Sequence, residues 1–219
     1  MGLFVHSVTA ALGYYGAYRG FARAGRRAVP RDSPYLAPAY LSRAVSAVNA
    51  AGLVLGALLY LAGLLPEAAA AWLLQAGPIG YCVYDFLLMC AEPEIFDPVM
   101  LGHHAVFAYF PAYVFAGYPA EVALGYLSEC SVFPLHLCWH LHRTGRAEGA
   151  LYRYAAAALA VSFFCCRVCV FSWLSVRAFA YEGQYAAGIA VAGLAALNTH
   201  WFARLLAKAS AAGPAGRGD

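Results

Sequence analysis

Residues 44–65 read AVSAVNAAGLVLGALLYLAGLL, an uninterrupted run without a charged side chain. Wound as an α-helix it would be about 33 Å long, enough to cross a hydrocarbon core about 30 Å thick. No other structure satisfies so long an apolar backbone in lipid, apart from a closed barrel, whose strands alternate in polarity as this run does not. The rest of the chain has the same character. Hydrophobic residues make up 63% of the 219 positions and charged residues 11%. A soluble domain has about 45–50% and 25%, and could not bury this much apolar surface in one core. The composition therefore predicts an all-α polytopic membrane protein.

Seven such segments follow from hydropathy, over 2–18, 44–65, 68–90, 99–117, 121–141, 150–175 and 184–206. The first is short and rich in Gly and Tyr. Between the first and second, residues 19–43 carry Arg19, Arg23, Arg26, Arg27, Arg31 and Arg43 with Pro30, Pro34 and Pro38. That density opposes a buried helix and marks a cytosolic loop by the positive-inside rule. Seven spans then also place 142–149 (Arg143, Arg146) and the C-terminal end (Arg204, Lys208, Arg217) in the cytosol, and the N-terminus in the lumen. The acidic 91–98 connection (Glu92, Glu94, Asp97) falls on the cytosolic side, but acids carry little topological weight. The chain divides into 1–40, an N-terminal span with a basic loop; 41–208, one transmembrane domain; and 209–219, a tail expected to be disordered. No internal repeat is evident. Residues 1–18 have no basic n-region, so no cleavable signal peptide is expected.

The net charge of +3 is spread between apolar segments, which gives nucleic-acid binding no support. Six cysteines, Cys82, Cys130, Cys138, Cys165, Cys166 and Cys169, lie in apolar runs and are expected to pack as small hydrophobes. The CxxC spacing of Cys166 and Cys169 is read the same way.

Ionisable groups are costly in hydrocarbon, about 2.5–3.5 kcal/mol on insertion scales, and persist where they pair, line a cavity or do chemistry. Here they are Asp85, His103, His104, Glu129, His136, His140 and Arg167. Gln184 and Asn198 are milder members. His103 and His104 are adjacent, so their side chains diverge by about 100° on a helix. A neutral imidazole there could deprotonate an amine or hydroxyl; two water-binding interfacial histidines fit as well. Glu129, Phe133, His136 and His140 fall on one face of a continuous helix. Pro134 among them should kink it. His136 and His140 have the i, i+4 spacing that holds zinc, and a third ligand from His103 or His104 would complete a site, although no HExxH is present. Arg167 needs an acid or a phosphate. Asp85 or Glu129 would make a packing ion pair with it; a headgroup or acyl-CoA phosphate is the alternative.

Taken in order, these pieces resemble the TLC domain shared by ceramide synthases and related membrane proteins. The resemblance runs from about Leu41 to Leu206. Ser42-Arg43 with Ser46 opens it. Gly80-Tyr81-Cys82-Val83-Tyr84-Asp85 is similar to the glycine–tyrosine…tyrosine–aspartate segment, and His103-His104 to the paired histidines. Glu129-Cys130-Ser131-Val132-Phe133-Pro134 resembles the Glu-x-Ser-x-x-Pro segment of non-synthase members. Phe163 to Val168 resembles the aromatic–arginine segment, and Asn198-Thr199-His200-Trp201 the Asn-x-x-Trp near the end.

The resemblance implies a barrel-like bundle of six helices plus an N-terminal span, enclosing a lipid or acyl chain. It implies catalytic roles for His103, His104, Asp85 and Glu129, and substrate-binding roles for Arg167, Ser131, His136, Asn198 and Trp201. No metal or other cofactor is expected, with acyl-CoA as the co-substrate. The implied partners are membrane lipids, and homo- or hetero-oligomers in the membrane stay open. Where ceramide synthases carry a further histidine–aspartate, this chain offers Glu129 and Ser131, and His136 stands where relatives often have Asn. That is closer to the non-synthase branch, linked to membrane lipid homeostasis in the endoplasmic reticulum. Three functions are compatible: acyl transfer from acyl-CoA to a lipid amine or hydroxyl; non-catalytic lipid binding or sensing that shapes phospholipid composition; and, least favoured, a metal-dependent lipid hydrolase.

Overall fold

The computed structural model describes residues 2–30, 33–114, 117–180 and 184–211. Among these every regular element is helical, with no strand. The chain forms two compact units, Met1–Val132 and Phe133–Asp219.

The first unit begins with α1 (Gly2–Ala28) and α2 (Pro38–Leu61). The expected loop from residue 19 is thus helical to residue 28. Ala and Arg are good helix formers, and no proline intervenes before Pro30, so the helix carries its arginines outward on a solid stalk. Gly63, at φ 70°, ends α2 four residues earlier than expected. The amide of Gly63 reaches back to the Tyr60 carbonyl and that of Leu64 to Leu59, a pattern only a left-handed residue permits cheaply.

Helix α3 (Glu67–Ala91) winds as a π-turn over Trp72–Ala76 before resuming regular α geometry. Pro78 explains the disturbance. It has no amide to give the Leu74 carbonyl, and its ring crowds that carbonyl. The hydroxyl of Tyr126 supplies the missing donor at 2.9 Å. Helix α4 occupies 98–114, its last turn also π-wound around Pro111. Then come α5 (Pro119–Tyr126) and a 3-10 turn (Leu127–Ser131).

Two close approaches hold this unit. Gly80 of α3 meets α1 so tightly that a Cβ there would lie 2.6 Å from the Ser7 carbonyl oxygen and 2.6 Å from the Ala10 Cβ. Small residues are what let helices approach this closely when lipid supplies no hydrophobic drive. Tyr14 of α1 donates a hydrogen bond to Asn49 Oδ1 of α2, 2.9 Å, satisfying a buried amide.

The second unit contains α6 (Val132–Arg143), which starts on the last residue of the first, then α7 (Ala150–Ala180) and α8 (Tyr185–Ala211). Helix α7 has a π-turn at Phe164–Cys169. Its buried stripe runs Ala155, Leu159, Phe163, Arg167, Phe171 and Leu174, one residue per turn. Phe163 and Phe202 of α8 stack at 6.3 Å. A Cβ at Gly188 would touch the Phe179 ring at 3.0 Å, marking the closest approach of α7 and α8.

Both units expose large apolar side chains and bury several polar ones. On α3, Tyr81, Tyr84, Asp85 and Leu88 are buried while Val83, Phe86 and Leu87 are exposed. Among the described residues four helices, α2, α3, α7 and α8, are long and apolar enough to cross a membrane. The seven-span expectation is met only in part. Helix α1 carries four arginines, α4 is described only to residue 114, and the expected span 121–141 is divided by the 3-10 turn. Arg31 and most of the tail lie outside the described residues.

Candidate functional site

Local sequence builds the site from a helical hairpin. Asp97 caps α4, its carboxylate accepting the amides of Val99 (2.9 Å) and Met100 (3.2 Å), and Pro98 follows at the first helical position. His103 and His104 are thereby fixed in the second turn. Asp85 stands six residues before the end of α3 and His104 six residues after the start of α4. Equal distances from the connecting turn bring them face to face. His104 Nδ1 lies 3.2 Å from Asp85 Oδ2, both side chains buried. The contact is at ion-pair distance without the alignment of a hydrogen bond.

Aromatic rings wall this pair. Tyr81 meets the His104 ring edge-on at 5.7 Å, and His103 lies 5.6 Å from it. His103 in turn stacks on Phe107 at 5.8 Å, and Phe107 packs on Tyr126 at 5.4 Å. Tyr14 approaches Tyr81 at 5.4 Å and Tyr84 at 6.1 Å. Tyr84 is buried, and its hydroxyl makes no hydrogen bond among the described residues.

Glu129 belongs to the same neighbourhood. It acts electrostatically on Tyr81 and Cys82, as Asp85 does, and also on Tyr126. The four residues expected to be catalytic, Asp85, His103, His104 and Glu129, are therefore all buried in the first unit. Ser131, also buried, donates to the Ser128 carbonyl at 2.9 Å and ties the 3-10 turn. That turn also corrects the register proposed for Glu129. A 3-10 segment advances about 120° per residue, against 100° in an α-helix, so Glu129 does not lie on one continuous α-helix with His136 and His140. The disturbance sits just before Pro134, which cannot donate to the Cys130 carbonyl.

The remaining candidates lie in the second unit. Arg167 is buried in the π-turn of α7, its guanidinium 5.4 Å over the Phe163 ring. Asn198 is fully buried on α8. Its amide donates to the Leu194 carbonyl at 2.8 Å, while its Oδ1 has no hydrogen bond among the described residues. Trp201 packs on the core of Cys138, Ala155, Leu159 and Phe163. His140 Nε2 lies 3.0 Å from an Arg146 amino group, which engages one of its two ring nitrogens. Among the described residues no three His, Cys, Asp or Glu side chains gather as a metal site. The described cysteines form no disulfide with one another, Cys166 and Cys169 included.

Sequence reasoning missed Tyr14, Asn49 and Tyr126. Tyr14 and Asn49 offered no signal beyond being polar groups in apolar runs. Tyr126 had an indirect one, since Pro78 inside a span announces an orphan carbonyl that some donor must reach.

The TLC domain family profile matches residues 67–207, more than half of the chain. No curated protein and no solved structure matches. The matched region begins at α3, so Ser42, Arg43 and Ser46 fall outside it.

Proposed function

The chain belongs to the TLC-domain family, and from that premise we propose that this integral membrane protein transfers an acyl group from acyl-CoA to a lipid amine or hydroxyl, with His104 as general base and Asp85 as its orienting partner. The observation that carries the reading is the 3.2 Å approach of His104 Nδ1 to Asp85 Oδ2 inside an apolar unit. A carboxylate beside Nδ1 holds the proton there and leaves Nε2 basic. Such contacts are commonly misaligned without substrate and tighten when it binds.

In the proposed step Nε2 takes the proton of the acceptor amine or hydroxyl as that atom attacks the thioester carbonyl. The tetrahedral intermediate then expels the CoA thiolate, which recovers the proton from the imidazolium. Asp85 stabilises the transient cation throughout. His103 flanks the base, and Glu129 sets the local potential. Within the second unit, Arg167 is suited to hold a headgroup phosphate and Asn198 Oδ1 to accept from a polar headgroup. The endoplasmic reticulum is the proposed location, by family alone.

The tight ring packing around His104 favours a second reading, a non-catalytic lipid-binding protein in which the Asp85–His104 contact fixes helix packing. Purified full-length protein given acyl-CoA and a panel of lipid amines and alcohols separates the two. Catalysis predicts an acylated product whose rate falls about 10²–10⁴-fold in His104→Ala. Turnover unchanged in the double variant His103→Ala/His104→Ala would remove the mechanism. Co-purifying lipid with no turnover would support binding alone.

A further inference from the structure

The outward face of α1 changes character along its length. Phe4, Val5, Val8, Leu12 and Tyr15 are exposed and share one side of the helix. Arg19, Arg23, Arg26 and Arg27 continue that same side, within an arc of about 100° and along about 12 Å. At the change, Arg19 Nη1 donates to the Tyr15 hydroxyl at 2.9 Å, and its guanidinium lies 5.8 Å from that ring. An amphipathic tyrosine followed one turn later by arginine is how a helix marks the boundary between acyl chains and headgroups.

All four arginines are exposed, and none is within ion-pair distance of a carboxylate among the described residues. Glu92 and Glu94 of the α3–α4 turn act on Tyr18, as Arg19 itself does, but stay outside ion-pair distance of the arginines. Four exposed positive charges thus project just where the apolar stripe ends. A helix C-terminus is itself a site of partial negative charge that holds such cations in place.

We infer that the basic end of α1 is a binding surface for anionic phospholipid headgroups of the leaflet it emerges from. The apolar stripe sets its depth. The guanidinium groups, bidentate donors suited to phosphate and carboxylate, would concentrate lipids of net negative charge around it. The inference is independent of any catalysis at Asp85 and His104.

The test equilibrates detergent-solubilised full-length protein with an equimolar mixture of phosphatidylcholine and phosphatidylserine and measures the lipids retained by native mass spectrometry. The wild type should retain phosphatidylserine in excess. Each arginine lost should lower the retained ratio by up to about fivefold. The quadruple variant Arg19→Gln/Arg23→Gln/Arg26→Gln/Arg27→Gln should approach the bulk ratio, and the corresponding quadruple Lys variant should keep the preference. Equal preference in wild type and Gln variant would overturn the inference. If the Gln variant does not fold, salt answers on the wild type alone: the preference should fall steeply between low and physiological ionic strength, and a salt-independent preference would overturn it too.

Discussion

Helices α3 and α7 are alike in length and apolarity, and each is interrupted by a π-turn. The contacts around each are of different kinds. Around α3 three connections to other helices are explicit: Tyr126 to the Leu74 carbonyl, His104 to Asp85, and Gly80 pressed into the backbone of α1. In α7 the buried Arg167 lies over the ring of Phe163, one turn away on the same helix. Hydropathy alone cannot separate these cases. It names the solvent of a helix; the placement of proline, glycine and charge decides how the helix binds its neighbours.

The comparison predicts that α3 tolerates substitution less well than α7. The largest effect is expected at Gly80. Gly80→Ala puts a Cβ against backbone that cannot turn aside, and should cost about 3 kcal/mol. Thermal unfolding in detergent will measure it, with Gly193→Ala on α8 as the neutral control because nothing lies within 4 Å of that position. Tyr126→Phe comes next. It leaves the Leu74 carbonyl bare in a buried site, at about 1–3 kcal/mol. The same substitution should accelerate amide exchange near the π-turn, and unchanged exchange would show that another donor covers that carbonyl. In α7, Phe163→Leu removes the ring beneath Arg167 while preserving most of the packed volume, and about 1 kcal/mol is expected. A loss larger than at Tyr126 would reverse the ranking of the two helices. The smallest effect belongs to Tyr14→Phe, about 0.6 kcal/mol for one interhelical hydrogen bond. A double-mutant cycle with Asn49→Leu will isolate it.

The membrane class and the helical segments were legible because an apolar run of twenty residues has few alternatives. Asp85 and His104 were legible as a pair in principle. They are equidistant from the turn that Asp97-Pro98 announces, so an antiparallel hairpin makes them meet. What the sequence hid depends on neighbours. Residues 19–28 are helical because α1 continues through its arginines, and the prolines that argued for a loop begin only at Pro30. The 3-10 turn at Leu127–Ser131 interrupts the continuous helix that the spacing of Glu129 and His136 assumed. The π-turns around Pro78 and Pro111 had a visible cause, whereas that at Phe164–Cys169 contains no proline and gave no warning. The hydrogen bond by which Ser131 secures the 3-10 turn was likewise hidden until that turn was in view.

The bond between Tyr126 and Leu74 bridges 52 residues, and that separation bears on how the protein is made. A carbonyl left bare in hydrocarbon costs several kcal/mol. During synthesis, α3 leaves the ribosome well before the phenol that completes it exists. Until α5 follows, the segment around Pro78 is an unfinished client, best kept beside the insertion machinery, where water or a chaperone helix can cover the exposed oxygen. The arrival of Tyr126 then covers that oxygen from within the protein.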